Sequence, residues 1–140
     1  MPNHFHLLLL QKEISPTLSD LLKRISVTYA MYFQHQYQHS GSLFQGKFRS
    51  VQVYSDESLL YVSKYIHLNP AKAEGSDPSN YPYSSLTDYL KTSNKNWLHP
   101  QIIWQTYFPK SRDPRLQYKD YVFSQEDKTT AILLKKLSLE

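Results

Sequence analysis

No cysteine occurs in this chain of 140 residues. That absence removes disulfide scaffolds, thiolate zinc sites and cysteine nucleophiles together, and it fits a reducing cytosol. No apolar run approaches the roughly 18 residues that a membrane-crossing helix needs. The N-terminus has no basic n-region, and histidines interrupt its short apolar stretch, so no secretory signal is read there. There is no internal repeat and no low-complexity segment. Charge of one sign is only mildly in excess: 16 Lys and Arg against 12 Asp and Glu give +4, with a pI near 9.2. This leans toward polyanions without establishing a nucleic-acid partner.

What is present suits a folded protein. An apolar fraction of 40% and a charged fraction of 20% match a globular domain with a short appendage. A chain of this length buries about two-thirds of the surface its unfolded form exposes. Aromatics are abundant, with 12 Tyr, 6 Phe and 2 Trp. Most tyrosines serve half-buried packing, so a chemical role for any one of them needs positional support.

Along the chain, His4 to Leu10 reads as a strand, with Phe5 and Leu7 on one face and His4, His6 and Leu8 on the other. The leucine run implies burial on both faces. Ser15 and Pro16 then suit a helix start. Leu18, Leu21, Leu22, Ile25, Tyr29, Tyr32 and Phe33 recur at three- and four-residue steps and predict a long helix to about His39. Leu43 to Tyr54 reads as extended, as two short strands or one with a bulge at Gly46. Ser55 or Asp56 opens a second helix, which Pro70 ends at about Asn69. Ser84 to Lys91 is a short helix. Two more helical stretches follow, at about 114–125 and 128–139. The boundary reading is a core over residues 1–91 and a helical extension over 92–140.

Two motifs carry chemistry. In His4-Phe5-His6, residues two apart on a strand project to the same side, so both imidazoles can reach one ion. A rival pair, His35 and His39, is spaced for metal on a helix. It is explained as well by the affinity of cationic side chains for a helix C-terminus. The second motif is Tyr65-Ile66-His67-Leu68-Asn69-Pro70. Tyr65 and Asn69 share a helix face and flank a buried stripe of Leu59, Val62 and Ile66. Two neutral histidines and one amide carbonyl are three N/O ligands suited to Mg²⁺ or Mn²⁺, with positions open for substrate oxygens. A tyrosine one turn away can attack a phosphorus held there, giving a phosphotyrosine that preserves the diester energy.

These stretches resemble a known family. Met1 to Leu9 looks like the HUH motif of single-tyrosine transposases, in particular the REP-associated tyrosine transposases and their insertion-sequence relatives. The resemblance continues through Gly41-Ser42-Leu43-Phe44-Gln45-Gly46-Lys47-Phe48. It is closest at Tyr65 to Ala73, returns at Tyr81-Pro82-Tyr83-Ser84-Ser85, and echoes weakly around Tyr118 to Phe123. It implies an α+β fold: a ferredoxin-like α/β sandwich with an antiparallel sheet, here N-terminally truncated and followed by a helical C-terminal tail. It implies metal-dependent cleavage and rejoining of single-stranded DNA next to a hairpin, in a bacterial, nucleoid-associated, cytoplasmic setting. Carried over by position, His4, His6 and Asn69 are the metal ligands and Tyr65 the nucleophile, giving a 5′-phosphotyrosine and a free 3′-hydroxyl. Lys47, Arg49, Lys64 and Lys72 become candidates for phosphate contacts, and Phe44 for base stacking.

The chain departs from the pattern at Glu74-Gly75-Ser76-Asp77, where the family has Gly and apolar residues. It also has no counterpart of the family's first strand and helix before the histidine motif. Three outcomes follow: a fragment of a longer protein, a chain that pairs with a second copy, or an inactive remnant. The expectation is a truncated chain that forms a homodimer. Two rival functions stand beside strand transfer. One is an inactive member that still grips structured single-stranded DNA. The other is an unrelated His-x-His metal hydrolase, which leaves Tyr65 and Asn69 idle.

Overall fold

The structure is a computed structural model that describes residues 4–13, 17–75, 77–91 and 95–124, with the backbone alone for 71–74. Its regular elements are α1 (Leu18–Tyr37), α2 (Asp56–Glu74), a 3₁₀ turn (Pro78–Asn80), α3 (Leu86–Leu90), α4 (Gln101–Tyr107) and α5 (Pro114–Phe123). The chain divides into two compact units, one of Met1–Leu8 with Val51–Glu140 and the other of Leu9–Ser50.

The predicted α+β sandwich is corrected. Among the described residues there is no strand and no sheet. His4 to Leu10 and Leu43 to Tyr54 are non-helical, and no backbone ladder joins them to one another or to any other described residue. A strand's identity lies in its partner's N–H and C=O groups, and an apolar alternation without that partner remains an unpaired segment. The leucine run accordingly stays open, with Phe5, Leu7, Leu9 and Leu10 all exposed. At the expected bulge, Gly46 takes a positive φ of 92°, a conformation that costs glycine little.

In the unit Leu9–Ser50, α1 opens on a reciprocal cap. Thr17 Oγ1 accepts from the Asp20 N–H at 3.2 Å, and Asp20 Oδ2 accepts from the Thr17 N–H at 3.1 Å. The cap is thus Thr17; Ser15 and Pro16 lie outside the described residues. α1 ends at Tyr37, where Gln38 turns left-handed at φ 50°. No residue of α1 is buried.

The other unit is built around α2. Ser55 Oγ accepts from the Ser58 N–H at 3.1 Å at its start, and Asp56 and Glu57 complement the positive end of the helix. α2 runs through Pro70 to Glu74, past the predicted stop at Asn69. Burial explains this: Val62 to Tyr65, His67 and Pro70 are all buried, so packing holds a helix that local chemistry would end. The core beside it consists of Leu86, Tyr89, Ile103, Tyr118 and Val122, with Leu59, Leu60 and Leu68 of α2 packed on its edge. Each such side chain contributes about 1.5–3 kcal/mol on burial. This core joins α3 to α4 and α5, and so it spans the predicted boundary between residues 91 and 92. α5 starts at Pro114 as read from the sequence, capped by Asp113. The predicted helix at 128–139 lies outside the described residues. Among the described residues no helix is long and apolar enough to cross a membrane.

Candidate active site

α2 and the segment ahead of Leu8 bring three predicted residues into contact. Tyr65 and Asn69 stand one turn apart on α2. The His6 ring lies edge-on to the Tyr65 ring, with centroids 5.6 Å apart and planes at 71°. The Asn69 side-chain nitrogen lies 3.2 Å from His6 Nε2. The fourth residue, His4, has its ring 5.2 Å from that of His6 at 90°. The i, i+2 proximity expected of the two imidazoles is therefore realised without a strand around them.

The electrostatics favour a neutral His6. Partial burial, and then the nearby His4, hold its pKa below the usual imidazole value. With the Asn69 amide nitrogen as donor, Nε2 is the acceptor and the His6 proton sits on Nδ1, so ligation of a metal through Nε2 requires the Asn69 N–H to leave it. A neutral imidazole is the form that ligates metal. Among the described residues no three His, Cys, Asp or Glu side chains gather as a metal group. The set here is two imidazoles and an amide, and its N and O donors fit a divalent cation that retains several open positions.

Tyr65 is 7% exposed. Its neighbours on α2 explain how it is held. His67 is 2% exposed and is fully hydrogen-bonded. Tyr118 Oη donates to Ser63 Oγ at 3.0 Å, so it accepts from His67 Nδ1–H at 2.8 Å. Ser85 Oγ then donates to His67 Nε2 at 2.9 Å. Ser63 Oγ donates in turn to the Leu60 carbonyl at 2.8 Å. Burial pushes the His67 pKa down to about 4 and pushes the Tyr118 phenol up. The chain Ser85–His67–Tyr118–Ser63 thus ties α2 to α3 and α5 through neutral groups of fixed polarity. Three of the stretches that carried the resemblance, at 65–73, 81–85 and 118–123, meet in it. The sequence reading passed over His67, Ser63, Ser85 and Tyr118 as site-forming residues. The presence of His67, Ser85 and Tyr118 inside those stretches was the available signal, and Ser63 lies just ahead of the first.

The predicted phosphate and stacking residues separate. Lys64 is 3% exposed. Its Nζ donates to the Tyr121 carbonyl at 2.9 Å, the Ser124 carbonyl at 2.9 Å and Ser124 Oγ at 3.0 Å. It also lies 4.9 Å from the centre of the Tyr121 ring. A buried ammonium held this way closes the C-terminus of α5, so Lys64, expected as a phosphate contact, lies among acceptors of the protein itself. Lys47 and Arg49 are exposed on the unit Leu9–Ser50. Phe44 of the same unit is half-buried, with its ring 6.3 Å from that of Tyr29. Lys72 lies in α2, and its side chain is outside the described residues. Of the rival pair, His35 lies in the last turn of α1, whereas His39 lies beyond the end of that helix and packs edge-on to Phe33 at 5.6 Å.

No protein-family model, curated protein or solved structure matches this chain.

Proposed function

We propose that the protein cleaves and rejoins single-stranded DNA through a covalent 5′-phosphotyrosine on Tyr65, in the manner of the transposases that its motifs resemble. The observation that carries this reading is the convergence of His6, Tyr65 and Asn69, with His4 alongside. In the reaction, Tyr65 Oη attacks a phosphodiester phosphorus and loses its proton. The bond from phosphorus to the 3′ oxygen breaks, and that oxygen leaves as a hydroxyl after taking up a proton. Rejoining reverses the step, a 3′-hydroxyl displacing the tyrosine. His4, His6 and Asn69 are the residues that hold the Mg²⁺ or Mn²⁺; the ion, when bound, offsets charge on the phosphoryl oxygens. Ser63 and His67 fix the helix from which Tyr65 projects. The reading includes a cytoplasmic, nucleoid-associated location, a hairpin beside the cleaved strand and a second copy of the chain as partner.

The test is incubation with Mn²⁺ and a hairpin-flanked single strand, followed by denaturing electrophoresis. A covalent adduct is expected, absent in Tyr65→Phe and in His6→Ala. An adduct that persists in Tyr65→Phe removes Tyr65 from the role. The burial of Tyr65 favours a second reading, in which the chain retains the grip on single-stranded DNA without cutting it. Strand binding with no adduct under any metal supports that reading.

A further inference from the structure

The unit Leu9–Ser50 carries an exposed aromatic surface that the chemistry at Tyr65 does not use. On α1 the rings run in series. Tyr29 lies 6.4 Å from Tyr32 and 6.2 Å from Phe33, and Phe33 lies 4.6 Å from Tyr37. The chain after α1 doubles back to extend this series. Gln38 and Gly41 take positive φ, Gln34 Nε2 donates to the Gly41 carbonyl at 3.1 Å, and Phe44 then reaches Tyr29. Water covers much of this surface: Tyr29 is 49% exposed and Tyr37 62%. A soluble fold gains little by holding so many rings half in water, so contiguous exposed apolar area of this kind marks an interaction surface.

Charge selects the partner. From Leu21 to Ser50 the sequence holds Lys23, Arg24, Lys47 and Arg49 and not one Asp or Glu. Aliphatic partners would gain nothing from that bias. A strand of unpaired nucleotides carries both complements, flat bases for the rings and phosphates for the cations. We infer that Tyr29, Tyr32 and Tyr37, with Phe44, form a stacking surface for single-stranded DNA, with Lys47 and Arg49 taking its phosphates. This rests on the reading of the protein as one that acts on single-stranded DNA. It adds a second contact region, on a different unit from Tyr65, that needs no metal.

The experiment uses the whole chain and a fluorescein-labelled oligothymidylate, read by anisotropy in EDTA. Tyr29→Ala and Tyr37→Ala are each expected to weaken binding by about tenfold, while Tyr29→Phe, which keeps the ring, restores it. Lys47→Gln should lower the slope of log affinity against log salt by about 0.7. Circular dichroism identifies any variant that fails to fold, and the salt slope, which needs no ring removed, then decides. Wild-type protein that does not bind, alanine variants that bind normally, or tighter binding to the matching RNA or to duplex DNA would each overturn the inference. So would sedimentation showing that Tyr29→Ala only dissociates a dimer. The two readings fail separately. Binding with no Tyr65-dependent adduct removes the strand-transfer reaction and keeps the surface, and an adduct formed equally by Tyr29→Ala does the reverse.

Discussion

His67 shows how much one side chain can order. Both of its nitrogens are engaged, and the hydroxyl directions around it follow from one another without freedom. Removing a partner leaves a buried donor or acceptor unpaired, which costs more than a hydrogen bond yields. Tyr118→Phe strands the His67 Nδ1–H and is expected to lower unfolding free energy by about 1–3 kcal/mol in urea titration. Ser63→Ala keeps that N–H paired, so it should cost less. An equal loss in the two variants would count against the assigned directions. The relation of His4 to His6 and that of Tyr65 to Asn69 were legible because each is local, two residues apart or one helical turn, whereas joining His6 to Asn69, 63 residues on, rested on the resemblance. The partners of His67 were not, since Tyr118 lies 51 residues away and no local pattern names it.

At the scale of elements, caps decided what could be read. The start of α5 falls at Pro114, where the sequence reading put it, and Asp113 caps it. In the structure Asp113 Oδ1 accepts from the N–H groups of Arg115 at 3.1 Å and Leu116 at 3.2 Å. Asp113→Ala is expected to destabilise the protein by about 1 kcal/mol, and Asp113→Asn by much less, as shifts in thermal midpoint would show. The helix α4 escaped notice for the opposite reason. It has seven residues and follows Pro100, which makes no side-chain cap, so no start signal marks it. The strands failed differently. Their alternation was real, but sheet formation is a property of two segments, and the resemblance supplied a neighbour that the described residues lack. Four of the candidate site residues, His4, His6, Tyr65 and Asn69, nevertheless lie together, because their contacts depend on α2 and one adjoining segment.

The unit that contains α2 is held by a core rich in phenols and one imidazole, and this makes its stability depend on acidity. His67 is neutral in the fold, with a pKa near 4, while in the unfolded chain it titrates near its model value of 6.5. Between those values the unfolded state binds more protons. Stability is therefore complete above about pH 6.5, declines as pH falls toward 4, and loses nothing further from this group below that. The span corresponds to about 3 kcal/mol. Urea midpoints at pH 7 and pH 4.5 would measure it, and the difference should shrink in His67→Gln. A midpoint unchanged over that interval in wild-type protein would show that the imidazole is solvated.

Pro70 sits inside α2 and brings no amide hydrogen. The carbonyl of Ile66, one turn earlier, goes without its helical donor. Bending there meets less resistance than elsewhere in the helix, and Asn69 belongs to that turn. A small pivot at this point would re-aim the carboxamide while Ser63, more than a turn further back, stays anchored. Adjustability at one end and rigidity at the other are thereby built into a single rod.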